Sequence, residues 1–121
     1  MEFGFTKAQE KLRKELHDFY RNGLPRDYEE RITPLNKEQQ SFWIQFQKKG
    51  GKKGYLTPGW PKEYGGMGLG SVEQGIVQEE ESYFGVNWPA RLALHLLGPG
   101  LIMFGTEEQK NEFIPRIARG E

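Results

Sequence analysis

The segment FGTEEQK at residues 104–110 guides the interpretation of the whole chain. Gly105 is a natural end for the apolar segment before it, because glycine readily takes the backbone conformations that end helices. Thr106 and Gln109 have capping-box spacing, in which a hydroxyl and an amide three residues later accept from each other's backbone N–H groups. Glu107 and Glu108 suit the positive end of a helix dipole. The segment therefore predicts a helix end followed at once by a helix start.

The same capping pattern occurs at residues 6–9, 36–39 and 71–74, each time before apolar residues at helical spacing. We predict helices over about 7–22 and 37–49, a third that follows Ser71 as its cap, and a last one that follows Thr106. The expected helix ends are glycines, namely Gly23, Gly50-Gly51, Gly85 and Gly120.

The most apolar part of the chain lies between Asn87 and Gly105. Asn87 can cap a helix there, and Pro89 is tolerated in its first turn. Gly98-Pro99-Gly100 is expected to kink or break this helix, and Pro115 to bend the last one. No segment alternates with period two for long enough to predict a strand. We therefore predict an all-α fold, an orthogonal or up-down bundle of five to six helices, as a single domain over residues 1–121.

Composition excludes several classes of protein. The chain carries 17 basic and 17 acidic residues and no cysteine. Balanced charge argues against a protein that coats nucleic acid or an anionic membrane. We expect no membrane span and no signal peptide, and the absence of cysteine fits a reducing compartment, so we predict a cytoplasmic protein. The 8 Phe, 5 Tyr and 3 Trp in a rather polar chain indicate burial against a partner surface.

Few residues suggest chemistry of their own. His17 and His95 lie on different predicted helices without a second ligand nearby, so we predict no metal site. We interpret His17 as solvated and His95 as a core residue, with a pocket residue as the alternative for His95. Residues 79–81 are three consecutive glutamates, which point in different directions on a helix. We interpret them as a solvated face with at most one buried carboxylate.

Residues 65–70 contain four glycines but fit no phosphate-binding motif. A G-x-G-x-x-G pattern would need glycine at Ser71 or Glu73, and no strand precedes it. We interpret the run as a tight loop that packs close to another backbone. The basic cluster of Lys48, Lys49, Lys52 and Lys53 is interpreted as a solvated helix end.

Two segments together resemble the N-terminal domain of acyl-CoA dehydrogenases. The first is GWPKEYGGMG at residues 59–68, followed by the helix with the three glutamates; the second is FGTEEQK, followed by FIPRI at residues 113–117. Their order and spacing agree over essentially the whole chain. The Trp60-Pro61 form is similar to a branch that includes dehydrogenases for bulky or long acyl groups.

The resemblance implies a longer parent protein, with a middle β-domain and a C-terminal four-helix domain. In this family FAD lies mostly between those two domains, and a carboxylate of the C-terminal domain removes the α-proton while the flavin takes the β-hydride. No catalytic, cofactor-binding or metal-binding residue is therefore expected in these 121 residues, and Glu80 is not assigned as the base. The implied partners are an acyl-CoA, an electron acceptor and further subunits of a homo- or hetero-oligomer.

The resemblance also implies that one face of the apolar helix forms part of the acyl channel. Counting back from Gly105 places this face on Trp88, Leu92 and Leu96, whose spacing of four residues puts them on one stripe of a helix. Core packing is the alternative for the same stripe. The alternative function for the chain is a stand-alone helical module that binds a partner or an acyl chain without enzymatic activity.

Overall fold

The computed structural model describes residues 4–25 and 37–121 of the chain. Over these ranges it has five α-helices and no strand, which confirms the predicted all-α class. The helices are α1 (Lys7–Gly23), α2 (Lys37–Lys52), α3 (Ser71–Phe84), α4 (Gly98–Phe104) and α5 (Glu107–Ala118). A 3-10 turn (Lys62–Tyr64) lies between α2 and α3, and a π-helical segment (Ala93–Leu97) leads directly into α4. The proposed cap at Asn36 lies outside the described residues.

The described helices belong to two compact units. In the first unit, residues 4–25 and 70–87, helix α1 packs against α3. Thr6 and Gln9 form the predicted capping box at the start of α1. Helix α1 buries Leu12, Leu16 and Tyr20, and α3 buries Ile76, Val77 and Phe84. The rings of Tyr20 and Phe84 lie 5.8 Å apart, so aromatic contact extends this core to the ends of both helices.

The predicted capping box at Ser71 is wrong. Ser71 is already the first helical residue, and extended Gly70 precedes it as the N-cap, without a side-chain hydrogen bond. A hydroxyl caps a helix only from the extended position before the first turn, and Ser71 no longer occupies it. Glu73 instead accepts a hydrogen bond from the Gln9 amide of α1 at 3.1 Å. Gly85, with φ of 67°, ends α3 as predicted.

The second unit comprises described residues 37–69 and 88–121. Here α2 does not end at Gly50-Gly51, as predicted, but continues to Lys52. A Cβ on Gly50 would lie 3.0 Å from the Trp88 ring, and one on Gly51 would collide with the Arg119 backbone. These glycines are therefore needed for close approach of other segments, and a glycine inside a helix costs only about 1 kcal/mol relative to alanine.

The helix predicted between Asn87 and Gly105 starts later in the structure, and of the predicted kink or break at Gly98-Pro99-Gly100 the break does not occur. Helical structure begins at Arg91, after a turn in which the Arg91 N–H donates to the Trp88 carbonyl at 3.1 Å. Residues 91–104 are then continuously helical through Pro99. The Gly98 N–H donates to the carbonyl of Ala93, five residues earlier, which gives a π turn. This wider turn accommodates Pro99 within the helix.

Helix α5 agrees with the prediction at both ends. Thr106 and Gln109 form the expected capping box, with the two N–H···O distances at 3.2 and 3.0 Å. The helix continues through Pro115, and Gly120 follows it with φ of 77°. Local sequence therefore determined the bounds of this helix.

Candidate functional site

Trp88 lies in the core of the second unit. It is 5% exposed, and its ring stacks on Phe46 of α2 with centroids 5.7 Å apart and planes at 19°. Its outer edge fits against Gly50, where a side chain would crowd it. Because helical structure begins only after Trp88, the α-helical spacing that grouped it with Leu92 and Leu96 does not apply. The structure thus separates Trp88 from the other two predicted site residues.

Leu92 and Leu96 are both exposed, at 74% and 68%. Three more large apolar side chains of the same helical segment are also exposed, Leu97, Met103 and Phe104. We call these five residues the apolar surface. Residues 92–104 contain no Asp, Glu, Lys or Arg, so the surface lacks fixed charge along the helix. Exposed apolar area of this kind marks binding or docking sites.

The π segment determines which residues of this helix face solvent. Leu94 is buried at 3% exposure, whereas its neighbours His95, Leu96 and Leu97 are exposed. The prediction that His95 is a core residue is therefore wrong. A π turn contains an additional residue, and one residue corresponds to a rotation of about 100° around a helix axis. Pro99 is a sequence feature compatible with a π turn. Because leucines occur all around this helix, the sequence could not show which face is buried.

Gln47 holds the turn that precedes the helical residues 91–104, which we call the apolar helix. Its side chain is buried, and its Oε1 accepts from the Ala90 N–H at 2.8 Å while its Nε2 donates to the Gly120 carbonyl at 3.1 Å. One amide therefore ties helix α2 to both the turn before Arg91 and the end of α5. Sequence reasoning missed this residue, since a glutamine next to Phe46 carries no signal of its distant partners.

The glycine-rich run belongs to a longer loop, residues 57–70, which we call the glycine-rich loop and whose backbone amides are used internally. Gly66, Gly68 and Leu69 donate their N–H groups to carbonyls of Pro61, Trp60 and Pro58 at 3.2, 2.9 and 2.9 Å. A Cβ on Gly66 would collide with the Trp60 backbone. Phosphate cradles need backbone N–H groups that point toward the ligand. The loop therefore has the geometry of the tight packing loop that the sequence indicated.

In the first unit, Glu80 is the single buried carboxylate of the three consecutive glutamates, as predicted. Its Oε1 accepts from Arg13 at 3.1 Å and its Oε2 lies 3.0 Å from His17 Nδ1. Arg13 also contacts exposed Glu79 at 2.7 Å, and hydrogen bonds to Glu79, then to Glu80, raise the arginine's pKa. Burial with two such partners indicates a structural carboxylate that joins α3 to α1.

The prediction that His17 is solvated needs correction. Its side chain is 36% exposed, and its ring packs edge-on against Phe84 with centroids 5.0 Å apart, in addition to its contact with Glu80. The imidazole is therefore part of the α1–α3 interface. The sequence pattern of α1 alone could not predict these contacts, because Glu80 and Phe84 lie more than 60 residues away from His17 in sequence.

Two further searches concern the described part of the chain alone. None of its helices is both long enough and apolar enough to cross a bilayer. Within the same residues, no group of three or more His, Asp or Glu side chains is arranged to hold a metal ion. The apolar surface is therefore the candidate site on which the functional argument rests.

Comparison with known proteins identifies relatives over the full length of the chain. Acyl-CoA dehydrogenase FadE26 of Mycobacterium tuberculosis is 32% identical over 123 residues, which span 100% of this chain and 30% of that protein. The structure of the ChsE4–ChsE5 complex from M. tuberculosis matches with a TM-score of 0.81 and 32% identity, over 99% of this chain and 30% of its own. The Tcur3481–Tcur3483 steroid ACAD matches with a TM-score of 0.77 and 34% identity, over 99% and 31%.

These matches also show what part of a protein the chain represents. It spans about 30% of the length of each of these relatives. The model of the family described as acyl-CoA dehydrogenase, N-terminal domain, matches residues 6–121. The match includes both segments that carried the sequence resemblance and all five helices. The chain therefore belongs to the acyl-CoA dehydrogenase N-terminal domain family.

Proposed function

We propose that the parent protein is an FAD-dependent enzyme that removes hydrogen from the α and β carbons of an acyl-CoA thioester. The observation that carries this proposal is the family match over residues 6–121, with relatives that are acyl-CoA dehydrogenases. When bound to the parent, FAD would supply the acceptor for the hydride that leaves the β carbon. An acyl-CoA oxidase would differ from a dehydrogenase in its electron acceptor.

Flavin binding is assigned to the rest of the parent protein. The glycine-rich loop does not fit the flavin phosphates, because its amides already donate to carbonyls of the same loop. The buried carboxylate, Glu80, is engaged by Arg13 and His17 in the interface between two helices. No residue in the described ranges 4–25 and 37–121 is therefore given a part in proton or hydride transfer, and the isolated domain is expected to be inactive.

The role proposed for this domain is to supply part of the wall around the acyl group and to pack against the other domains. Leu92 and Leu96 are exposed on a charge-free helical segment, which suits contact with an alkyl or ring system. Trp88 supports this wall from within the second unit, where it stacks on Phe46. The steroid ACAD among the structural neighbours favours a bulky acyl group, and the ChsE4–ChsE5 complex favours a parent that assembles from subunits.

The visible spectrum of the full-length parent protein tests the proposed reaction. We expect a flavin absorption band at about 450 nm that bleaches when an acyl-CoA is added, because the flavin supplies the redox chemistry. Comparing a straight-chain acyl-CoA with one that carries a ring system identifies the preferred acyl class. A colourless product that ends at Glu121 would contradict the enzyme proposal and favour the stand-alone binding module.

Substitution of Leu96 tests the assignment of the wall. Leu96→Phe adds bulk to the apolar surface, and we expect KM for the ring-bearing acyl-CoA to rise by roughly tenfold, the scale of small shape changes in a hydrophobic pocket. Val72→Phe is the matched control, since Val72 is an exposed apolar residue of the first unit, at 54%. An equal rise in both variants would argue against a specific contact at Leu96.

A further inference from the structure

The strongest unexplained feature of the apolar helix is its contact with Trp60. The far edge of the Trp60 ring occupies the space that a side chain at position 98 would need, so that a Cβ there would collide with Cη2 and Cζ2 of the indole. Gly98 is buried, although Leu96 and Leu97 immediately before it are exposed. The helix therefore rests on the indole at the junction between the π segment and α4.

Trp60 itself is fixed by the loop that carries it. The backbone N–H of Trp60 donates to the Thr57 carbonyl at 3.2 Å, and the Trp60 carbonyl accepts from the Gly68 backbone N–H at 2.9 Å. Gly66 closes the arrangement, since any larger residue there would collide with the Trp60 backbone. Gly66 in the loop thus leaves room for the Trp60 backbone, and Gly98 in the helix leaves room for its indole ring. The hydrogen bonds of the loop and its close backbone contact therefore determine the position of Trp60.

The position of the contact matters because it coincides with the change in helical geometry. Gly98 donates its N–H to Ala93, which closes the π turn, and Pro99 follows with no N–H to donate. The residues before and after a π turn are offset around the axis relative to an uninterrupted α-helix. Leu96 and Leu97 lie inside that turn, so anything that moves Gly98 also moves the apolar surface.

We propose that Trp60, through its contact with Gly98, is a positioning residue that sets the place of Leu96 and Leu97 and thereby determines which acyl groups the parent protein accepts. The proposal rests on the acyl-wall function given above. It assigns no chemistry to Trp60, which acts through the helix that it supports. The glycine-rich loop, which fits no nucleotide, gains a role in substrate selection.

Three variants of the parent flavoprotein test this proposal. Gly98→Ala places a methyl group against the indole, and Gly100→Ala is its matched control, because a Cβ at Gly100 meets no atom within 4 Å. Trp60→Phe combined with Gly98→Ala removes the outer ring atoms that the methyl group would strike. We expect Gly98→Ala to change the ratio of kcat/KM between a ring-bearing and a straight-chain acyl-CoA by roughly tenfold, mainly through KM.

The double variant should bring this ratio back to within about threefold of wild type, since the two changes are coupled by direct contact. Gly100→Ala should leave the ratio unchanged. An equal loss of kcat on both substrates in Gly98→Ala, or an equal effect of Gly100→Ala, would overturn the proposal. If Gly98→Ala does not fold, Trp60→Phe alone decides the question: it should also change the ratio, and an unchanged ratio would overturn the proposal.

A measurement without catalysis separates this proposal from the proposed function. With 5-fluorotryptophan in the parent, the ¹⁹F resonance of Trp60 should shift in Gly98→Ala and stay in place in Gly100→Ala. If none of the acyl-CoAs bleaches the flavin of the wild-type protein, the proposed function fails. The ¹⁹F resonance still reports on the contact between Trp60 and Gly98 in that case. A resonance that is equally insensitive to both substitutions would overturn the positioning role whatever the enzyme's activity.

Discussion

The α1–α3 pair and the apolar helix at residues 91–104 use similar residues in opposite ways. Leu16 of α1 is fully buried against the first unit's core, whereas Leu96 of the second unit is 68% exposed. Both leucines belong to apolar patterns with helical spacing. The difference shows that periodicity identifies an apolar face but does not tell whether the same domain covers it. In the proposed parent protein, the acyl group and the other domains would cover the second face.

The two units also differ in how their buried polar groups are satisfied. Glu80 joins α3 to α1 through charged or chargeable partners, Arg13 and His17. Gln47 joins three segments of the second unit through neutral hydrogen bonds to backbone groups. A carboxylate left without partners in a buried site costs more than an amide, so the first unit depends more strongly on its ion-pair geometry.

The largest expected effect comes from truncating the two leucines. Leu16→Ala should lower the free energy of unfolding by about 2–5 kcal/mol, because it leaves a cavity at a site with no exposure. Leu96→Ala should change it by less than about 0.5 kcal/mol, as expected for a surface substitution. Denaturant unfolding of the 121-residue protein measures both. Equal losses would mean that Leu96 is covered, by self-association for example, and a concentration series would reveal this.

Removal of carboxylates in the first unit should have an intermediate effect. Glu80→Ala should cost about 1–3 kcal/mol, because Arg13 and the helix pair lose hydrogen bonds to a charged group. Glu79→Ala is the matched control: the Glu79 side chain is 67% exposed, and the loss there should stay below about 1 kcal/mol. Thermal unfolding of both variants measures the difference. Similar values would show that the buried position of Glu80 adds nothing.

The smallest effect concerns two carboxyl groups, that of half-buried Glu73 in the first unit and that of exposed Glu121 in the second. A hydrogen bond from the Gln9 amide lowers the pKa of Glu73, whereas a hydrogen bond from Arg119 lowers the pKa of Glu121. Each folded-state pKa is depressed, so each group contributes stability above its unfolded pKa, and this contribution is lost as pH falls through the folded pKa. NMR titration of the two carboxyl groups at low and high salt compares them. The Glu121 pKa should rise with salt more than the Glu73 pKa, because the donor Arg119 is charged whereas the donor Gln9 is neutral.

If the Glu73 pKa rises with salt as much as the Glu121 pKa or more, the hydrogen-bond partner assigned to one of the two groups is wrong. Gln9→Ala supplies the control, because it should raise the Glu73 pKa and leave the Glu121 pKa unchanged. If Gln9→Ala has no effect on Glu73, the hydrogen bond between them does not persist in solution.

Much of the secondary structure followed from local sequence, but the candidate site followed only in part. Thr6 and Thr106 both form the expected capping boxes. Leu92 and Leu96 lie on an exposed apolar surface that fits the proposed acyl wall, whereas Trp88 is a core residue of the second unit. Sequence spacing grouped the three because it assumed an α-helix from Asn87 onward. Neither the later helix start nor the π segment has a reliable local pattern.

The sequence alone determined where α1 and α5 begin and the all-α class, because a capping box satisfies backbone groups with side chains only three residues away. Tertiary structure decided that α2 continues through Gly50-Gly51, that Gly98 lies on Trp60 and that Gln47 bridges Ala90 and Gly120. Each of these depends on contact between residues at least 30 positions apart. No short segment encodes such a contact, since its energy exists only when both partners are in place.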